Sequence, residues 1–211
     1  MSNIIERITN AVEERRRDEI QNLVKEAIGQ GIPAETIVNE ALIAAMDVVG
    51  RRFSAGEIFV PEMLVSALTM KMGLEVLKPL LVGSEGTSRG TILIGTVKGD
   101  LHDIGKNIVI MMLEGAGFQV VDLGVDATVE KVVEKVQEFK PQILGLSALL
   151  TTTMPEMQNV IRTLKDQGLR DKVKIMVGGA PVDAKFAEKI GADGYGEDAA
   201  EAVELARKFV A

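Results

Sequence analysis

"GTILIGTVKGDLHDIGKNIVIMMLEGAG" occupies residues 90–117, and two periodicities meet inside it. Residues 91–97, "TILIGTV", form a short apolar run of the kind that makes a strand covered on both faces. From about 103 to 117 the apolar residues recur at helical spacing. The turn between them holds Gly99, Asp100, Leu101, His102, Asp103, Ile104 and Gly105, and His102 is the single histidine of the chain.

The same alternation repeats downstream. "QVVDLG", "QILGLSA" and "KIMVGG" read as further short apolar strands. Helical segments are expected near 128–139, 154–168, 183–190 and 197–210, with a short fifth segment preceding the loop around Tyr195. Apolar strands alternating with helices predict a parallel sheet covered on both sides, and right-handed crossovers make it doubly wound. Ligands of such sheets bind at the carboxyl ends of the strands. Four loops are therefore expected at one edge: "GDLHDIG", "SALLTTT" (Ser147, Leu149, Thr151, Thr153), "GGAP" (Gly178, Gly179) and "GADGYGED" around Tyr195.

Upstream, residues 1–83 read as helix: "IIERITNAVEER", "DEIQNLVKEAIGQG", "PAETIVNEALIAAMDVVGRRF" and "VPEMLVSALTMKMGLEVLKPLL". Pro33 is expected in the first turn of the third. Four helices on short loops predict a small bundle. "VGSEGTSRG" (82–90) has linker composition, so the expected layout is 1–83 bundle, 84–90 linker and 91–211 sheet domain.

Composition narrows the chemistry. A net charge of −7 disfavours nucleic acid or an anionic membrane as partner. No apolar run of 18 residues and no leader pattern is seen, which predicts a cytoplasmic chain. With no cysteine and one histidine, disulfides, thiol nucleophiles, Cys-held clusters and His-rich metal sites are excluded. Demanding chemistry must come from a cofactor or a partner.

The loop at 99–106 is not a Walker A sequence: five residues separate Gly99 from Gly105, and Asn107 follows Lys106. Its carboxylates would repel a triphosphate. It is not G-x-G-x-x-G either, although Asp122 lies near the place where a dinucleotide fold carries its ribose-binding acid. A metal ligand remains. Neutral imidazole suits a transition metal, and Asp100 is close enough to orient the ring. One protein nitrogen alone assembles no metal site, but it can serve as axial ligand to a metal already held in a macrocycle.

"GDLHDIGKN", with Ser147-x-Leu149 and Gly178-Gly179, resembles the cobalamin-binding signature D-x-H-x-x-G … S-x-L … G-G. "RRFSAGEIFVPEML" resembles the Phe-x-x-Gly-x-x-Phe-x-Pro stretch of the helical cap that precedes this domain in methionine synthase and in the corrinoid proteins of anaerobic methyltransferase systems. The resemblance covers nearly the whole chain. It implies a four-helix cap followed by a flavodoxin-like, Rossmann-like five-stranded parallel domain holding one corrinoid. It implies His102 as the axial ligand of cobalt and Asp100 as the holder of its ring. Gly99, Leu101, Asp103, Ile104 and Gly105 would then lie against the cofactor, with Gly105 leaving room for the nucleotide tail. Ser147 and Leu149 would line the tail slot, and Thr151 and Thr153 would offer hydroxyls near it. Gly178 and Gly179 would let backbone approach the tail, Tyr195 would reach the cofactor, and Phe53 and Val60 would shield the methyl group. Several of these residues have plainer readings. Thr151 and Thr153 suit a helix start before Pro155, the glycine pair suits a turn, Phe53 and Val60 suit a bundle core, and Tyr195 suits the edge of the sheet.

The implied function is a methyl carrier whose corrinoid alternates between methylcob(III)alamin and cob(I)alamin, the chain not being catalytic alone. It would take methyl from a donor-specific methyltransferase for methanol, methylamines, betaines or aryl methyl ethers. It would give methyl to a second methyltransferase acting on tetrahydrofolate or coenzyme M, with a reductive activase as third partner. The alternative is the cobalamin-binding subunit of an adenosylcobalamin mutase, which would not need the cap. A cobalamin-dependent transcriptional sensor would want a basic DNA-reading domain, and a flavin or nucleotide domain leaves the three motifs unexplained.

Overall fold

The structure is a computed structural model that describes residues 3–81 and 88–211. The expected linker lies outside the described residues from 84 to 87. The chain divides into two compact units, one of residues up to 88 together with 114–117, the other of 89–113 and 118–211.

The first unit is helical. Asn3 opens α1 (Ile4–Glu13) by accepting the Ile5 N–H, and Ile4, Ile8, Ala11 and Val12 form its buried stripe. α2 (Arg17–Gly29) buries Ile20, Leu23, Val24 and Ala27 at the same spacing. It ends through Gly31, whose φ of +79° reverses the chain. The third predicted helix comes in three stretches: α3 (Ala34–Thr36), a π segment (Ile37–Ile43) and α4 (Ala44–Ser54). Pro33 stands just before it as the N-cap, not in its first turn. α5 (Val60–Leu81) packs on α2 through Gly73, where a Cβ would lie 3.1 Å from Ile20 and 3.2 Å from Leu42.

The second unit holds five parallel strands in the order β2-β1-β3-β4-β5: β1 (Thr91–Thr96), β2 (Gln119–Asp122), β3 (Ile143–Ser147), β4 (Lys174–Gly178) and β5 (Gly194–Gly196). Crossover helices are α6 (Ile104–Gly115), α7 (Val129–Phe139), α8 (Met154–Asp166) and α9 (Ala184–Ile190), and α10 (Ala199–Val210) closes the chain. Thr128, Asp183 and Asp198 cap α7, α9 and α10 with side-chain oxygens. Leu93, Leu144, Leu146, Ile175 and Val177 build the core beneath α7 and α8. This is the doubly wound, flavodoxin-like fold expected. Its switch point falls between β1 and β3, because α6 carries the chain from β1 to β2 while α8 carries it from β3 to β4. Among the described residues no helix is long and apolar enough to cross a membrane.

Candidate functional site

At the switch point the loop after β1 meets the loop after β3. Gly99, with φ +79°, takes a conformation only glycine adopts freely. The turn it makes swings Asp100 down into the sheet edge, where Asp100 is fully buried. A buried carboxylate must be paired, and this one has partners on both oxygens. Oδ1 accepts the His102 backbone N–H at 3.1 Å and the ring Nδ1–H at 2.7 Å. Oδ2 accepts the Leu149 N–H at 2.8 Å and the Leu150 N–H at 3.3 Å. The Thr153 hydroxyl lies 2.8 Å from Oδ2 and 2.9 Å from the Leu150 carbonyl, and its one proton goes to the stronger, charged acceptor.

Burial alone would raise the pKa of Asp100. The donors from Leu149, His102 and Thr153 outweigh it and hold the carboxyl well below the usual carboxylate range. A charged Asp100 in turn holds the His102 ring by accepting from Nδ1. With Nδ1 donating inward, Nε2 carries the free lone pair, and the side chain is 50 % exposed.

The surroundings of the imidazole are apolar and open. Leu101 (72 % exposed), Ile104 (77 %), Leu149 and Leu150 are large hydrophobic residues left uncovered. Contiguous exposed apolar side chains mark a surface that a ligand or partner covers. A Cβ at Gly105 would meet nothing within 4 Å. Ser147, half-buried at the end of β3, has no side-chain hydrogen bond among the described residues.

Other expected site residues have structural work as well. A Cβ on Gly179, whose φ is +121°, would collide with the Ala148 carbonyl oxygen, and one on Gly178 would lie 3.0 Å from the Gly196 oxygen. This glycine pair is required by the chain's own backbone packing. Thr153 stands at the N-cap position of α8 but makes no capping bond, because its hydroxyl supports Asp100. Thr151 is exposed and Asp103 receives the Asn107 side chain at 3.2 Å. Asp122 accepts on Oδ1 from the buried Lys106 Nζ at 2.7 Å and from the Gly124 N–H at 2.8 Å. Tyr195 lies within β5, paired with Val177, and not in a loop after that strand, and it packs half-buried against the core of its unit. Burial, with Glu197, Glu201, Asp183 and Asp198 nearby, pushes its phenol up. In the first unit Phe53 and Val60 are half-buried, while Phe59 between them is 68 % exposed.

Three contributors were not read from the sequence. Thr96 Oγ donates to the His102 carbonyl at 2.8 Å, Asp126 accepts the Gly99 N–H at 2.7 Å, and Leu150 adds its N–H to Asp100. Thr96 left one signal, a polar residue closing a run that is apolar from Ile92 to Gly95.

Comparison with known proteins places these features in a family. Residues 90–204 match the B12 binding domain family, and residues 4–78 match a second family of the same description. The dimethylamine corrinoid protein of Methanosarcina barkeri is 43% identical over 99% of this chain and 98% of its own length. A corrinoid protein of Desulfitobacterium hafniense (strain Y51) is 41% identical over 98% of this chain and 97% of its own length. In solved structures, the chain resembles one in a methanol:cobalamin methyltransferase complex from M. barkeri, with TM-score 0.89 and 36% identity over 98% of this chain and 79% of the other. It also resembles a cobalamin-binding protein from D. hafniense DCB-2, with TM-score 0.82 and 32% identity over the full length of both chains.

Proposed function

The chain belongs to the B12-binding corrinoid proteins, and from that premise we propose that it carries a methyl group on a corrinoid whose cobalt is held from one side by His102 Nε2. The observation that carries this reading is the 2.7 Å contact of His102 Nδ1 with the buried Asp100, which turns Nε2 outward. The residues present fit the group. A single oriented imidazole suits an axial position on a metal whose other ligands come from a ring. Leu101, Ile104, Leu149 and Leu150 offer an apolar bed for a broad macrocycle. The open side of Gly105 and the hydroxyl of Ser147, half-buried at the end of β3, suit a tail threading beside α6.

Bound there, the corrinoid supplies a cobalt–carbon bond that can be made and broken, which no side chain of this protein offers. The chain's own task is to hold and to shield. Asp100 holds the imidazole in place, and Thr153, Leu149 and Leu150 keep Asp100 charged. Phe53 and Val60 of the helical unit are proposed to exclude water from the methyl group. The exposed Phe59 belongs to the same stretch.

One relative named above is a dimethylamine corrinoid protein, another is a corrinoid protein, and one solved neighbour stands in a methanol:cobalamin methyltransferase complex. They support a donor-specific methyltransferase as first partner and a methylamine or methanol as donor class, with betaines and aryl methyl ethers next in chemistry. A second methyltransferase acting on tetrahydrofolate or coenzyme M, and a reductive activase, complete the proposed set. The helical unit matched at 4–78 favours a methyl carrier over a mutase subunit.

The test is anoxic reconstitution with cobalamin followed by desalting. The expected product is coloured, with one corrinoid per chain and an absorption spectrum that changes in His102→Gly. A colourless product overturns the whole reading. A coloured product with the same spectrum in His102→Gly removes His102 from the cobalt.

A further inference from the structure

The imidazole is aimed not only through Asp100 but through the backbone that carries it. Four hydrogen bonds fix that backbone. Thr96 Oγ, fully buried at the end of β1, donates to the carbonyl of His102 itself at 2.8 Å. Asp126, in the loop after β2, accepts the Gly99 N–H on its carboxylate at 2.7 Å and donates its own N–H to the Asp100 carbonyl at 3.0 Å. The Asp100 N–H returns to the Val97 carbonyl at 3.1 Å. Asp126 can use carboxylate and N–H together because its φ is +51°, a left-handed conformation that Asp tolerates better than most residues. Neither Thr96 nor Asp126 touches the imidazole ring.

We propose that Thr96 and Asp126 are positioning residues that set the height and direction of His102 toward the corrinoid. The proposal rests on His102 being the axial ligand. Asp100 fixes which nitrogen faces outward; Thr96 and Asp126 fix where that nitrogen is. A ligand displaced by about an ångström loses most of a directional bond, so backbone bracing bears directly on axial ligation.

The experiment uses full-length protein loaded anoxically with cob(II)inamide, a corrinoid that lacks its own base. Any nitrogen splitting in its electron paramagnetic resonance then comes from the protein. Thr96→Val removes the hydroxyl while keeping the shape and takes the Thr96 donor away from the His102 carbonyl. Thr96→Ser restores the donor. Asp126→Gly keeps the left-handed backbone and loses the acceptor, and Asp126→Asn restores it; this pair lies at the surface and serves should Thr96→Val not fold. The expected result at corrinoid saturation is a nitrogen-coupled fraction reduced several-fold in Thr96→Val and Asp126→Gly. Thr96→Ser and Asp126→Asn retain it. Full splitting in both disruptive variants overturns the proposal, or in Asp126→Gly alone should Thr96→Val not fold. Absence of splitting in the wild type overturns axial ligation instead. The bracing is then judged on the corrinoid-free chain by amide hydrogen exchange at 99–102. Bracing requires exchange about tenfold faster in the disruptive variants, the size expected for losing a hydrogen bond of this kind; unchanged rates overturn it.

Discussion

Single glycines in this protein divide into those the fold demands and those it does not. Gly179 is demanded, since its φ of +121° and the Ala148 oxygen leave no room for a side chain. Gly105 is not, since it lies in the first turn of α6 with nothing near its Cβ position. The two should respond oppositely to alanine. Gly179→Ala should destabilise the corrinoid-free chain by on the order of 3 kcal/mol. Gly105→Ala should stabilise it by about 0.5–1 kcal/mol, while weakening cobalamin binding about tenfold or more. Urea unfolding followed by circular dichroism and equilibrium dialysis with cobalamin check the two halves. Unaltered dialysis for Gly105→Ala would remove the tail from that place. At this scale the sequence revealed the residues whose chemistry is rare. A lone histidine two positions after an aspartate is conspicuous. Thr96 and Asp126 are not, because their roles depend on which loops the topology brings side by side.

Elements, rather than residues, carry the acid response of the second unit. The start of β4 is tied to the residues before β5 by Asp193, which accepts the Ile175 N–H at 2.8 Å and pairs with Arg170 at 2.8 Å and Lys174 at 3.3 Å. Burial works against its charge, but the Ile175 bond and the two cations prevail and its pKa is lowered. A carboxyl lowered in the folded state adds stability in full above its unfolded pKa of about 3.9, and loses it as pH falls through the folded value. Asp193→Asn should therefore be less stable than wild type at about pH 6, with the difference shrinking toward about pH 3. Chemical denaturation across that range measures it, and a constant difference would contradict the assignment. The elements themselves were largely legible, because 3.6-residue and strand-type patterns are strong over ten residues. The π segment at Ile37–Ile43 was not, since seven residues cannot separate its period from that of an α-helix.

Taken whole, the molecule offers a binding energy that its fold alone lacks. A ligand that binds only the folded chain adds about 2.7 kcal/mol at a hundred times its dissociation constant. For a chain of this size that corresponds to a melting point raised by about 5–10 °C. Calorimetry with and without cobalamin should show that rise, and His102→Gly should diminish it. The change from helices alone to strands alternating with helices near residue 90 was legible in the period, while the placing of 114–117 with the first unit was not. Nor was the network joining the loops after β1, β2 and β3, because it depends on strand order, which periodicity does not encode.

That strand order has an evolutionary consequence. β1 lies between β2 and β3, so the loop bearing His102 is bonded on one side to Asp126 and on the other to Leu149 and Leu150. Insertions or deletions at 97–101, 124–127 or 148–153 would break a tether whichever segment lengthened. The connections at the opposite edge, such as 139–142 and 166–173, bear no such restraint from His102. Length variation among descendants of this chain should accumulate there, leaving the three tethered segments constant in residue number even where their side chains drift.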